Sequence, residues 1–247
     1  MLFSGMAKID IDELLTPPEV FPTEKARRRF LRLVGIKKIA DNLIEDIHMF
    51  FHSNCIEGWC QKHYNESLPI IELMEDMVPL FLFEGDVGTG KTALAETIGD
   101  ALGRAKDYRV TMIKMSTQVR GTGYVGQMGS MLSAAFKHTV SVWQRFGNPV
   151  ILIIDEADSL LTSRATQEQH HEDKSGVNTI LQHLDAIKND SSKVAVIAIT
   201  NRVGVIDPAL MRRAASIIHF SRPESRQRKQ IIGHLFKGTQ WGEDTFN

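Results

Sequence analysis

The 247-residue chain has little cysteine, Cys55 and Cys60 being the only two. No second pair exists to complete a zinc site or a disulfide framework, so reduced thiols in an intracellular protein are expected. Long apolar runs are missing too. The longest, such as Val194–Ile199, are six residues, against the ~20 that a membrane span needs. Neither sign of charge is in excess: 29 Lys+Arg against 30 Asp+Glu leave a formal charge of −1. That balance asks for no polyanionic partner. The opening MLFSGMAKIDIDELL turns acidic at once and holds no signal-peptide core. Internal repeats and low-complexity segments are absent. With 43% hydrophobic and 24% charged residues, disorder, collagen and coiled coil are excluded. The expectation is a soluble, cytoplasmic protein without a membrane partner, built on one large α/β domain with at most a small appendage.

The first thirty residues read as an arm, because Thr16-Pro17-Pro18 and Phe21-Pro22 break any regular element before Arg27-Arg28-Arg29. Helical spacing runs from Ile36 to Phe51, while Ser53–Met77 is mixed and gives no clear element. From Pro79 onward, short apolar runs alternate with amphipathic helices, the pattern of a parallel α/β sheet. The runs are Leu80–Phe83, Val110–Met115, Val150–Ile154, Val194–Ile199 and, more weakly, Ile217–Phe220. The helices predicted between them are Thr92–Leu102, stopped by Gly103, then Met128–Trp143 and Ser175–Ile187. Five strands with helical crossovers make a doubly wound sheet. Such sheets bind ligands at the carboxyl ends of their strands.

The first run is followed by Gly85-Asp86-Val87-Gly88-Thr89-Gly90-Lys91-Thr92, which fits G-x-x-x-x-G-K-[ST]. Its glycines let backbone N–H groups curl around the β- and γ-phosphates of ATP. Lys91 neutralises those phosphates, and the Thr92 hydroxyl holds Mg²⁺. The helix that starts there aims its positive dipole end at the anion. A Gly-rich turn alone could be ordinary, but a strand before it and a helix after it supply the confirming context. The run Ile151–Ile154 ends in Asp155-Glu156. Behind a phosphate loop, Asp155 binds Mg²⁺ through water and Glu156 orients or deprotonates the attacking water. The bland alternative for Glu156 is a solvent-facing loop acid. Asn201 follows the run Val194–Ile199, where an Asn is ordinarily a turn former. If that strand lies between those carrying Lys91 and Glu156, the amide reaches the γ-phosphate. Asp207-Pro208 is a strong helix start, so a short helix Pro208–Arg213 ends in Arg212 and Arg213.

Together these pieces resemble the AAA+ ATPases. Ala198-Ile199-Thr200-Asn201-Arg202…Ile206-Asp207-Pro208-Ala209-Leu210 is similar to the second region of homology of the AAA subgroup, and Asp155-Glu156-Ala157-Asp158-Ser159-Leu160…Arg164 to its acidic-strand motif. The likeness is strong over 79–222, faint over 30–78 and absent before that. It implies a five-stranded parallel sheet in 5-1-4-3-2 order, which places Asn201 between Lys91 and Glu156 as the "sensor 1" residue. It also implies that an arginine of Pro208–Arg213 reaches the neighbouring subunit's γ-phosphate. Arg213, immediately before the small residue, fits that role better than Arg212, which could instead cap its helix and pair with a surface acid. In Thr122-Gly123-Tyr124-Val125-Gly126-Gln127, Tyr124 and Val125 resemble the aromatic–aliphatic pore loop with which hexameric unfoldases grip a threaded polypeptide. A Tyr that simply caps the sheet edge is the alternative. His170-His171-Glu172-Asp173 falls where a second pore loop lies and reads as a polar loop rather than a metal site. Asp86-Val87 departs from the family's usual Pro-Pro.

Gly126-Gln127-Met128-Gly129-Ser130-Met131-Leu132 and the ending Arg212-Arg213-Ala214-Ala215 resemble the pachytene-checkpoint branch, whose members remodel HORMA-domain proteins. The function expected is thus a Mg-ATP-dependent, hexameric protein remodeller or unfoldase acting on a protein substrate. One rival is a nucleic-acid motor on the same fold, favoured by Arg27–Arg29 and Arg222…Arg226…Arg228-Lys229 but disfavoured by the neutral net charge and the aromatic pore loop. A non-hydrolysing nucleotide-gated scaffold is the other, and an intact Glu156 argues against it. The domains expected are an arm over 1–30, the nucleotide-binding domain over 31–222 and the start of a helical lid over 223–247. About one helix fits after Arg222, too little for a full lid. The chain therefore reads as a fragment or a variant with a reduced lid.

Overall fold

The computed structural model describes residues 10–52, 54–66, 68–69, 71, 77–115, 127–158, 172–202 and 206–236. Its elements run α1 (Ile11–Leu14), β1 (Glu19–Phe21), α2 (Glu24–Phe30), α3 (Lys37–Phe51), α4 (Asn54–Tyr64), β2 (Val78–Gly85), α5 (Lys91–Lys106), β3 (Val110–Lys114), α6 (Gln127–Phe146), β4 (Val150–Ile154), α7 (Glu172–Asn189), β5 (Val194–Thr200), α8 (Pro208–Arg213), β6 (Ala214–Phe220) and α9 (Ser225–Leu235). The sheet order is β1-β3-β4-β5-β2-β6. Every pairing is parallel except that of β1 with β3. The five parallel strands take the expected order, so β5 lies between the strand leading into the phosphate loop and the strand ending in Asp155. Pro79, which has no N–H to give, falls in the register shift of β2 against β6 between Val78 and Phe81.

The central strands are buried on both faces, which is why they read as unbroken apolar runs. Alternation then sorts their side chains. Leu80, Leu82, Leu152, Ile154 and Val196 join one core with residues of α6 and α7. Phe81, Phe83, Ile151, Ile153 and Ile197 join a second core with α3 and α5.

Two expectations need correction. The arm does hold regular structure. Between its prolines, Glu19–Phe21 adds a sixth, antiparallel strand at the sheet edge, paired Phe21 to Val110. Leu14 and Leu15 enter the first core while Phe21 and Ala26 enter the second, so the segment straddles the edge. Long-range burial outweighs the local breakers here. Gly103, in turn, does not stop its helix. The helix α5 runs on to Lys106, and Asp107 takes the left-handed capping conformation. At Gly103 the missing side chain serves a close approach instead, since a Cβ there would lie 2.8 Å from the Tyr108 carbonyl oxygen.

Candidate nucleotide site

Strand β2 delivers the loop. Gly85 closes the strand at φ +146°, and a Cβ there would collide with the Phe220 carbonyl oxygen of β6. Only glycine fits that turn. The Thr89 hydroxyl donates to the Asp86 carbonyl at 2.8 Å, folding the loop on itself. Lys91, only 4% exposed, directs its ammonium at the Gly85 and Asp86 carbonyls at 2.8 and 2.7 Å. Burial pushes the Lys91 pKa below that of an ordinary lysine, and Asp155, Asp86 and Asp158 oppose the shift. A buried cation held by carbonyls is poised for a stronger anion, and α5 begins at the same point with its positive end toward the loop.

At the end of β4, Asp155 is nearly buried. Its Oδ2 accepts from the Thr92 hydroxyl at 3.2 Å and lies 3.1 Å from Lys114 Nζ, while Oδ1 accepts the Glu156 N–H at 2.9 Å. Glu156 itself is exposed and sits in the left-handed region at φ 52°. A non-glycine residue there is uncommon, and such positions concentrate at functional sites. Asn201 follows β5 directly, and its backbone N–H donates to Asp158 Oδ1 at 3.2 Å. The Thr200 hydroxyl donates to that same oxygen. Asp158 thereby ties the ends of β4 and β5 together.

The short helix forms as its sequence predicts: Asp207 Oδ1 caps it by accepting the Ala209 N–H at 2.8 Å, with Pro208 in the first turn. Arg213 makes a two-pronged pair with Asp185 of α7, Nη1 to Oδ2 at 3.0 Å and Nη2 to Oδ1. Arg212 is exposed. The pairing acid weighed for Arg212 thus belongs, within this subunit, to Arg213. Tyr124, Val125 and His170-His171 lie outside the described residues, as does Ser159 onward in the acidic-strand motif.

Sequence reasoning missed four partners of the site. Asp185 gave no signal, because its pair spans 28 residues; Asp158 stood within the acidic-strand motif, but its link to Thr200, 42 residues away, did not show. Lys114 carried one, since a charged residue ends an otherwise apolar strand at the sheet's carboxyl edge. Arg222 is the fourth, donating to Asp86 Oδ2 at 2.8 Å from the connection between β6 and α9. The basic clusters that favoured a nucleic-acid motor are partly spoken for: Arg29 pairs with Glu96 at 2.6 Å and Arg27 with Glu24 at 3.7 Å. Among the described residues, no helix is long and apolar enough to cross a membrane.

Comparison with known proteins places this geometry. Residues 81–222 match the family described as "ATPase family associated with various cellular activities (AAA)". The chain is 38% identical over 238 residues to CD-NTase-associated protein 6 of Escherichia coli (strain MS 115-1), covering 94% of this chain and 76% of that protein. Among solved structures, it resembles a chain of the E. coli MS115-1 HORMA:CdnC:Trip13 complex with a TM-score of 0.85 and 36% identity, over 97% of this chain and 80% of that one. Trip13 of Rhizobiales matches with a TM-score of 0.70 and 32% identity, over 94% and 79%. With Lys91 buried in the loop after β2, Asp155-Glu156 at the end of β4 and Asn201 after the strand between them, the chain belongs to the AAA family of ATPases.

Proposed function

We propose that this ATPase is a cytoplasmic, Mg-ATP-dependent remodeller of protein substrates, working as a homohexamer on a HORMA-domain protein. The observation that carries the reading is its likeness, over 97% of its length, to a chain of a complex containing both Trip13 and HORMA components. The metal fits the residues present. Thr92 Oγ1 and the Asp155 carboxylate are hard oxygen donors 3.2 Å apart, suited to a cation that keeps most of its waters and takes one or two protein ligands. When bound, Mg²⁺ neutralises phosphate charge. Residues 85–92 hold the triphosphate through backbone N–H groups and the Lys91 ammonium. Glu156 orients the attacking water and takes its proton, and the Asn201 amide steadies water and γ-phosphate without adding charge. An arginine of α8 serves the neighbouring subunit's pocket. Arg213 is our choice, and it must leave Asp185 to act in trans; Arg212 is the alternative. Tyr124 and Val125 grip the substrate polypeptide in the pore, as an aromatic ring can pack against any chain without demanding sequence.

Glu156→Gln tests this reading. It should keep ATP affinity, cut turnover by at least ~10²-fold, and hold a purified HORMA-domain protein in ATP but not in ADP. Normal turnover removes Glu156 as the base. Stable capture of nucleic acid instead of protein overturns the remodeller.

A further inference from the structure

Contacts from the N-terminal segment converge on Lys114, a residue to which the phosphate-loop chemistry gives no task. The Lys114 N–H donates to Thr16 Oγ1 at 2.9 Å, and its carbonyl accepts the Thr16 N–H at 2.8 Å. Its ammonium bridges two carboxylates, Glu96 Oε1 at 2.8 Å and Asp155 Oδ2 at 3.1 Å. The other oxygen of Glu96 accepts from Arg29 of α2 at 2.6 Å. A line of alternating charge therefore runs Arg29, Glu96, Lys114, Asp155, from a helix outside the matched family region to the carboxylate beside Thr92. The three inner side chains are 13–24% exposed, so salt screens them less than an ordinary surface pair.

We propose that Lys114 is a positioning residue that competes with the divalent cation for Asp155, and that the N-terminal segment sets the strength of that competition. This rests on Thr92 and Asp155 holding the metal. One ammonium shared by two carboxylates leans toward whichever holds more uncompensated charge. With Arg29 docked, the charge of Glu96 is shared and Lys114 stays on Asp155. With Arg29 withdrawn, Glu96 draws Lys114 away and Asp155 is released to the metal. Thr16 fixes where along the strand this happens, because it clamps both backbone groups of Lys114. Coupling of this kind is reciprocal, so metal–nucleotide binding loosens the docking of α2 by the same factor.

The signs of three substitutions separate this from a packing role. Lys114→Met removes the competitor and should lower the Mn²⁺ concentration for half-occupancy by ~5-fold or more. Arg29→Met should lower it by about 2-fold, since the pair it breaks is half-exposed. Glu96→Gln leaves Lys114 with Asp155 alone and should raise it. Lys114→Arg should restore the wild-type value. Mn²⁺ binding to the full chain, read by electron paramagnetic resonance at a fixed concentration of a non-hydrolysable ATP analogue, gives these values without turnover. Arg29 is exposed, so its variant decides the matter with Glu96→Gln even if Lys114→Met fails to fold. Weaker Mn²⁺ binding in all variants, or no shift in any, overturns the proposal. Absence of a nucleotide-dependent Mn²⁺ site in the wild type removes the reading of Asp155 as well, and so distinguishes the two failures.

Discussion

Residues 10–30 and the helix α9 lie before and after the matched family region 81–222 in the chain, yet only the first segment joins the cores of the sheet. Leu14, Leu15, Phe21 and Ala26 are buried. The Thr23 N–H is held by Asp100 at 2.6 Å, and Arg104 bridges Asp100 and Glu24 at 3.0 Å each. The helix α9 buries none of its residues, and Leu235 is 74% exposed. A capping box of Glu224 and Gln227 secures its start. The link from its approach to the loop is Arg222 to Asp86, an ion pair exposed at both ends. A well-formed helix is thus no sign of membership in a core. Membership shows in what reaches across the sheet: the N-terminal segment reaches Asp155 through Glu96 and Lys114, while the C-terminal one reaches Asp86 in the loop.

Substitutions can break that contrast in order of size. Phe21→Ala empties a fully buried site and should cost ~3–5 kcal/mol in urea unfolding. A cost under ~1 kcal/mol would mean the segment lies on the domain without being part of it. Glu96→Gln should cost ~1–2 kcal/mol near neutral pH, because it strands part of a charged network. Burial works to raise the Glu96 pKa, but hydrogen bonds from Lys114 and Arg29 outweigh it and hold the group below its ordinary 4.5. A depressed carboxylate contributes stability above its unfolded value and loses it as pH falls through the folded one. The deficit of Glu96→Gln should therefore persist at neutral pH and shrink as pH drops below 4.5. Lys114 bears the opposite sign: burial works against its charge, Glu96 and Asp155 outweigh burial, and its contribution lasts through its ordinary 10.5 and fades above. On the C-terminal side, Arg222→Ala should change stability by less than ~1 kcal/mol, and less again in high salt. Leu235→Ala should stay within about 0.5 kcal/mol. A larger loss there would show α9 covered by another surface in solution, which sedimentation at rising protein concentration would detect.

These contrasts track what the sequence made legible. The phosphate loop, the Asp155-Glu156 strand end and the cap at Asp207 are local patterns, each specified within about eight residues, and each stands where spacing predicts it. The strand order came from family resemblance, since periodicity names strands without ordering them. Glu19–Phe21 escaped notice because three residues between prolines show too little alternation to register. Its warrant lies in β3, about ninety positions away along the chain. The pairing of Arg213 with Asp185 was invisible for the same reason. Charge at one end of an apolar run was visible at Lys114, but its two carboxylates sit on different elements, and only the fold brings them together.

The brevity of β1 has a consequence for the life of the protein in a crowded solution. A sheet edge offers unpaired N–H and C=O groups to any passing strand, and β3, with Val110, Met112 and Ile113, is a sticky template. Strand β1 covers that template with three residues, flanked by Pro18 and Pro22, neither of which can donate a hydrogen bond onward. The edge is blunted where it would otherwise recruit. Undocking of Glu19–Phe21, a change far along the chain from Lys91, would bare the outer edge of β3 and leave its N–H and C=O groups open to pairing with another strand.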